Sequence, residues 1–320
     1  MYFPRTDLAI ELQEFQTRQA AATEGVETWT EKSGDICISH VRIDTQSAAE
    51  RIGKPKGNYI TLEMKDLNFQ DSTQYAQCCH ALRDMLLRLH TYDSTRPVLV
   101  VGLGNRFITA DALGPKAVDK IFVTRHMHAQ LGEIFGGEVA SVCAIAPGVL
   151  GITGVETAEI VQGVCDRVKP GVILVVDALA ARSIERLNTT VQLCDTGIAP
   201  GSGVGNARAA FNQERFGVPV LAIGVPTVID ATTMAFDAAC ALLDSAKTEN
   251  SDMLSCVKNL SESDLYHMVA SLMQPPVHTL TVTPKDVDLA MERISKVIAG
   301  GINLYLHKDM TLEEVDALTM

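Results

Sequence analysis

Two aspartates are the residues best placed to do chemistry in this chain of 320 residues. Asp111 lies in the turn G-L-G-N-R-F-I-T-A-D after the apolar run P-V-L-V-V, and Asp177 takes the last position of the predicted strand V-I-L-V-V-D. In an open parallel sheet, functional groups gather beyond the carboxyl ends of the strands. Two carboxyl groups at one partly buried site can divide the work of hydrolysis, because one donates a proton while the other activates water. An isolated aspartate in either place is also typical of a helix cap.

Glycine-rich turns support a second, non-enzymatic hypothesis, a nucleotide-binding regulatory module. Its backbone N–H donors would come from Gly102, Gly104, Gly201, Gly203 and Gly205. The third glycine of a dinucleotide fingerprint is missing, since Phe107 stands in its place, and the loop at 199–208 lacks the G-K-S/T ending of a P-loop. The sequence therefore favours the carboxylate hypothesis.

Other polar residues give weaker signals. His126 and His128 in R-H-M-H-A-Q could ligate a metal, but no H-E-x-x-H pattern or matched acidic partner accompanies them. Asp230 in V-P-T-V-I-D-A-T-T is most simply the N-terminal residue of a helix, where its negative charge suits the helix dipole.

The elements that must position the aspartates form an α/β pattern. Residues 33–43 and 58–64 read as two half-buried antiparallel strands, and residues 75–89 have the apolar spacing of an amphipathic helix. Four largely apolar strands follow, separated by helical crossovers, at 97–101, 138–145, 171–176 and 218–223. Strands this apolar are covered on both faces. We expect a three-layer α/β sandwich with a mostly parallel central sheet and an N-terminal β extension.

The last third of the chain is predicted to pack on the same core. The polar segment 248–264 is predicted to be a surface insertion. A helix is predicted to open with Thr283 as its cap and Pro284 at its first position, to end near residue 299, and to be followed by G-G-I-N-L-Y-L-H. Residues 1–320 are thus expected to form a single α/β domain.

Composition excludes several classes of function. The formal net charge of −12 argues against a nonspecific grip on nucleic-acid phosphates, which needs a positive surface. No apolar run approaches the ~20 residues of a membrane-spanning helix. The N-terminus lacks the features of a secretory signal, so an intracellular location is expected.

A set of motifs in chain order resembles the germination protease family of spore-forming bacteria. They are R-T-D-L-A-I-E at 5–11, V-G-L-G-N-R-F-I-T-A-D-A-L-G-P at 101–115, V-T-R-H at 123–126, A-P-G-V-L-G-I-T-G-V-E-T at 146–157, V-V-D-A-L-A at 175–180, P-G-S-G-V-G-N-A-R at 200–208, A-I-G-V-P-T-V-I-D at 222–230 and S-K-V-I-A-G-G-I-N at 295–303. The resemblance implies a fold similar to that of hydrogenase-maturation proteases. It also implies that Asp111 and Asp177 are the catalytic pair, with no metal and no cofactor.

The resemblance further implies a zymogen that cleaves itself. The family's substrates, small acid-soluble spore proteins, are cut within a Thr-Glu-Phe-Ala-Ser-Glu-like sequence, and T-D-L-A-I-E at 6–11 is similar to it. Cleavage between Asp7 and Leu8 would leave residues 1–7 as the propeptide. A homotetramer in the cytoplasm of the forespore and the spore core is implied as well, with no direct contact to nucleic acid or membrane.

The substrate cleft is expected to be shaped by the strand-end turn, the second glycine-rich loop and one histidine. These residues are Gly102, Gly104, Asn105, His126, Gly201, Ser202, Gly203 and Asn206. The alternative enzyme class is a metal-dependent processing protease of the hydrogenase-maturation type. It would need His126 or His128 as a third ligand beside the two aspartates.

Overall fold

The computed structural model describes residues 5–18, 24–64, 71–131, 139–201, 208–248, 262–272 and 280–319. The strands in these ranges are β1 (Val26–Ser33), β2 (Ile36–Ile43), β3 (Gly57–Glu63), β4 (Val98–Gly102), β5 (Val142–Ile145), β6 (Val172–Ala181), β7 (Thr190–Cys194), β8 (Val220–Asp230) and β9 (Thr281–Val282). The helices are α1 (Ala9–Arg18), α2 (Gln46–Ile52), α3 (Ser72–Leu89), α4 (Leu113–Val118), α5 (Arg125–Leu131), α6 (Leu150–Thr153), α7 (Thr157–Val168), α8 (Gln213–Phe216), α9 (Ala231–Thr248), α10 (Glu262–Leu272), α11 (Val287–Leu306) and α12 (Leu312–Thr319).

One mixed sheet organises the molecule, in the order β1-β2-β3-β7-β8-β6-β4-β5, with β9 paired to β8. Strands β8, β6, β4 and β5 pair with one another in parallel. Strands β1, β2, β3 and β7 extend the row with antiparallel pairing. The predicted parallel centre and N-terminal β extension are both confirmed.

Helices cover both faces of this sheet, because its central strands are apolar on both sides. Val98 and Val100 of β4 pack with α3, α4 and α11 on one face. The alternate residues Leu99 and Val101 pack on the other face, with α7 and with Phe211. This is the period-2 alternation of a doubly covered strand. The three-layer α/β class is therefore confirmed.

The N-terminal strands differ in detail from the prediction. The first predicted strand begins at residue 36, not 33, because residues 34 and 35 form the turn of a hairpin with β1. Strand β1 was not predicted, because most side chains in its sequence V-E-T-W-T-E-K-S are polar and exposed. Helix α1 then packs over β2 and β3.

Helix α11 begins later and ends later than predicted. It starts at Val287, after the cap position Asp286, and continues through Gly300 and Gly301 to Leu306. A Cβ on Gly301 would lie 2.5 Å from a methyl carbon of Leu82 in α3. The two glycines therefore let α11 and α3 approach closely and do not end the helix.

Two central strands are longer than predicted, and one of them changes the setting of Asp177. Strand β6 runs to Ala181 because its pairing with β8 continues that far, so Asp177 lies inside the strand and not at its last position. Residues 249–261 of the predicted insertion lie outside the described residues. No helix in the part of the chain described above is long and apolar enough to cross a membrane.

Candidate active site

A cleft of about 910 Å³ opens where the parallel strands end. Its walls come from the turn after β4, the second half of β6, the end of β8, the start of α7, and Arg5 and Asp7 near the N-terminus. Asp111 and Asp177 both line it. The topology thus brings together the two aspartates that the sequence had singled out.

Asp111 is held by the turn that follows β4. Gly104 adopts a φ of +109°, and a Cβ there would lie 2.0 Å from the Asp111 carbonyl oxygen, so a side chain at this position would displace the turn. The backbone N–H of Asn105 donates to Asp111 Oδ2 at 2.8 Å. Burial raises the pKa of Asp111, and the Asn105 hydrogen bond opposes that rise. The carboxyl group does not cap α4, whose N-cap residue is Ala112.

Asp177 is the more deeply buried carboxyl, with 4% of the residue exposed. The backbone N–H of Ala178 donates to its Oδ1 at 3.0 Å. Burial raises the pKa of Asp177 well above its ordinary value, and the nearby charges of Asp111 and Asp7 raise it further. The charge of Asp111 thus favours the protonated form of Asp177.

The two environments differ in the protonation state that each of them favours. Asp177 loses most of its hydration and faces two other carboxyl groups, which favours its neutral form. Asp111 is less buried and keeps a backbone donor that favours the ionised form. The geometry suits a neutral Asp177 that donates a proton and an ionised Asp111 that accepts one.

Arg5 and Asp7 of the N-terminal segment line the same cleft. The Asp7 N–H donates to the Ala180 carbonyl oxygen at 2.9 Å, and the Ala180 N–H donates to Asp7 Oδ2 at 2.9 Å. Leu8 is fully buried in an apolar cluster with Leu179, Leu187 and others. The Asp7–Leu8 peptide therefore lies against the strand that carries Asp177.

Helix α1, which begins directly after this peptide, is anchored by charge. Glu11 is 3% exposed and accepts hydrogen bonds from the N–H groups of Arg182 and Ser183, at 2.7 Å and 3.0 Å. Thr6 Oγ1 also donates to Glu11. Arg186 places a guanidinium nitrogen 3.4 Å from the same carboxylate. The motif T-D-L-A-I-E is thus bound at both ends.

Gln192 of β7 bridges the backbone on either side of Leu8. Its Nε2 donates to the Asp7 carbonyl oxygen at 3.1 Å, and its Oε1 accepts from the Ala9 N–H at 2.7 Å. Neither this residue nor its strand was predicted from the sequence. A signal for the strand was present, since T-V-Q-L-C is a largely apolar, β-branched run with one glutamine inside it.

The other predicted cleft residues divide into three groups. Gly104, Asn105 and Gly201 line the cleft, whereas Gly102 ends β4 and packs against Gly114. His126 is exposed on α5 and does not line the cleft. Three further residues lie outside the described residues, namely Ser202, Gly203 and Asn206.

Two charged residues that were not predicted as site residues, Arg5 and Asp230, also line this cleft. Arg5 pairs with Asp230 at 2.9 Å, and Asp230 also caps α9 by accepting from the Thr233 N–H at 2.9 Å. His128, on α5, does not line the cleft. Within the described ranges, no group of three or more His, Cys, Asp and Glu residues is arranged to hold a metal ion.

Comparison with known proteins gives consistent matches over the whole chain. A family model described as germination protease matches residues 5–252 and 243–319. A germination protease of Clostridium tetani is 42% identical over 317 residues, covering 98% of each chain. One from Caldanaerobacter subterraneus is 43% identical over 317 residues, covering 98% of this chain and 97% of its own. One from Bacillus cereus is 37% identical over 360 residues, covering 99% and 97%.

A solved structure resembles part of the fold. It is a [NiFe] hydrogenase maturation protease, HycI, from Thermococcus kodakarensis KOD1. It is 18% identical, covers 42% of this chain and 74% of its own, and superposes with a TM-score of 0.29. A likeness of this size carries no argument about the chemistry.

Proposed function

Because the chain belongs to the germination protease family and is therefore a peptidase, we propose that it is the endopeptidase that begins the degradation of small acid-soluble spore proteins in germinating spores. One observation carries this proposal. The cleft that contains Asp111 and Asp177 is also lined by Asp7, and the chain's own T-D-L-A-I-E segment is hydrogen-bonded to the strand that carries Asp177 and to the residue after it. A peptide site and a pair of carboxyl groups with raised pKa values thus coincide.

Hydrolysis would proceed by acid/base catalysis without a covalent enzyme intermediate. The ionised Asp111 takes a proton from water as the water oxygen bonds to the carbonyl carbon, and Asp177 gives its proton to the carbonyl oxygen. The resulting diol collapses when Asp111 passes its proton to the amide nitrogen and the carbon–nitrogen bond breaks. Asp177 recovers a proton from a hydroxyl group, so both aspartates return to their starting states.

The same chemistry would process the zymogen. Cleavage between Asp7 and Leu8 would remove residues 1–7, which we propose are the propeptide. The Asp7 carboxyl group is close enough to raise the pKa of Asp177, which supports the nearness of this bond to the catalytic pair. Asp7 lines the cleft, so the segment borders space that a substrate would use.

The wider setting follows the family resemblance. We propose a single peptidase domain over residues 1–320, assembled as a homotetramer and stored in the cytoplasm of the forespore and the spore core. The net charge of −12 supports recognition of the spore protein itself, with no direct contact to its DNA.

The test is cleavage of a purified small acid-soluble spore protein, with the cut sites read by mass spectrometry. We expect one cut, between an acidic and a large apolar residue, and the same activity before and after treatment with a strong chelator. Cuts scattered over the substrate would contradict the proposed specificity. Stoichiometric bound metal together with loss of activity on chelation would instead support the metal-dependent processing protease.

A further inference from the structure

We propose that Gln192 is a catalytic residue that binds the carbonyl oxygen of the scissile bond and stabilises the negative charge that develops there. Its Nε2 donates to the Asp7 carbonyl oxygen at 3.1 Å, and its Oε1 accepts from the Ala9 N–H at 2.7 Å. A carbonyl oxygen only accepts and a backbone N–H only donates, so these two partners fix the orientation of the side-chain amide. The assignment rests on the proposed cleavage between Asp7 and Leu8.

The sheet register places Gln192 on the same face of the sheet as Asp177. Gly224 of β8 pairs with Asp177 of β6 on one side and with Gln192 of β7 on the other. Directly paired residues project from the same face of a sheet, and two strand spacings separate their Cα atoms by about 10 Å. Gly224, between them, adds no side chain to this face. The Asp7–Leu8 peptide contacts both flanking strands, at Ala180 and at Gln192.

This arrangement matches what the reaction needs at the carbonyl oxygen. As water adds to the carbonyl carbon, the electrons of the carbon–oxygen double bond move onto the oxygen, and a donor already in place stabilises the partial charge that develops while Asp177 transfers its proton. Gln192 supplies such a donor from a position that is 6% exposed, where little water competes. Both of its hydrogen bonds go to backbone atoms. It can therefore bind any substrate whose backbone follows the same path, whatever the side chains.

Two variants separate the donor from the acceptor function of this side chain. Gln192→Met keeps the approximate size and loses both hydrogen bonds. Gln192→Glu keeps an acceptor for the Ala9 N–H, but it can donate to the Asp7 carbonyl oxygen only while its carboxyl group is protonated. Gln213→Glu is the matched control, because Gln213 is exposed at the start of α8.

The experiment follows loss of residues 1–7 by intact mass as a function of time and pH, with thermal unfolding recorded for each variant. Gln192→Met should process about 10²–10³ times more slowly than the wild type, which is the usual cost of losing one oxyanion donor. The rate of Gln192→Glu relative to the wild type should fall as pH rises, since its carboxylate form has no donor. Thermal unfolding recorded at the same pH values separates this effect from destabilisation by the ionised carboxyl group.

The outcomes distinguish this assignment from the proposed function. If the wild type is cut after Asp7 and Gln192→Met is cut at the same rate, the proposed function stands and the assignment is overturned. A constant ratio between Gln192→Glu and the wild type across pH would also overturn it, even if Gln192→Met fails to fold. If the wild type is never cut at this bond, the proposed processing site fails and the assignment fails with it.

Discussion

Replacing Arg186 by methionine should release helix α1 and slow processing. Arg186 is 12% exposed and binds both oxygens of Glu14, at 2.7 Å and 2.9 Å. It also lies 3.2 Å from Glu63 and 3.4 Å from Glu11. Two of these three carboxylates belong to α1, so the guanidinium ties that helix to the turn between β6 and β7.

The magnitude follows from the burial of each partner. Glu14 is 42% exposed, and an exposed pair contributes about 0.2–1 kcal/mol. Glu11 is 3% exposed, and removing the partner of a buried charge costs about 3–5 kcal/mol. The backbone donors of Arg182 and Ser183 remain, which favours the lower end of that range. We expect the docking of α1 to weaken by about 3 kcal/mol.

Hydrogen exchange measures this docking directly. About 3 kcal/mol corresponds to roughly hundredfold faster exchange of the α1 amide protons, and the rate of cleavage after Asp7 should fall in parallel. Arg42→Met is the control, because Arg42 is 42% exposed and its pairs with Glu27 and Asp44 are also at the surface. Unchanged exchange of α1 in Arg186→Met, or an equal effect in Arg42→Met, would refute the reasoning.

Further predictions concern the turn, the buried leucine and pH. Gly104→Ala should lower the free energy of unfolding by about 1–3 kcal/mol through backbone strain, and it should slow processing at least tenfold by moving Asp111. The control is Gly163→Ala, because a Cβ at that position on α7 meets open space. Denaturant titrations should show this control to be neutral or stabilising. Leu8→Ala should weaken the packing of the N-terminal segment against the sheet by about 2–5 kcal/mol. An unchanged rate of hydrogen exchange at the backbone amide of residue 8 would contradict this. Because the pKa of Asp177 is raised, the rate of processing should fall as pH rises through that pKa. The rate should also fall at acidic pH, where Asp111 becomes protonated. A rate independent of pH would be inconsistent with the mechanism. The raised pKa also means that ionisation of Asp177 destabilises the fold. As pH rises, the free energy of unfolding should therefore decrease less in Asp177→Asn than in the wild type.

The sequence predicts the central fold because its signals there are local and repeated. The run P-V-L-V-V is apolar on both faces of β4, and the structure packs Val98 and Leu99 against opposite layers. Asp111 and Asp177 follow such runs, so the rule for carboxyl ends of parallel strands brings them together. Strand β1 was missed because an edge strand with exposed side chains has little apolar alternation to detect.

The parts that were not predicted depend on partners distant in sequence. An aspartate inside V-V-D-A-L-A looks like a strand end, and only the pairing with β8 shows that β6 continues. Gly300 and Gly301 look like a helix end, and only the close approach of α3 explains their place within α11. Gln192 had no signal as a binding residue, since its partners Asp7 and Ala9 lie more than 180 positions away.

The most direct test of the two-aspartate mechanism is the processing of Asp111→Asn and Asp177→Asn, followed by intact mass, with Asp166→Asn on the exposed face of α7 as the control. Each asparagine keeps the shape of the side chain and removes its ability to exchange a proton with water or substrate. We expect both active-site variants to fold and to retain residues 1–7, while Asp166→Asn loses them at the wild-type rate. Removal of residues 1–7 from either active-site variant at the wild-type rate would contradict the mechanism for that aspartate.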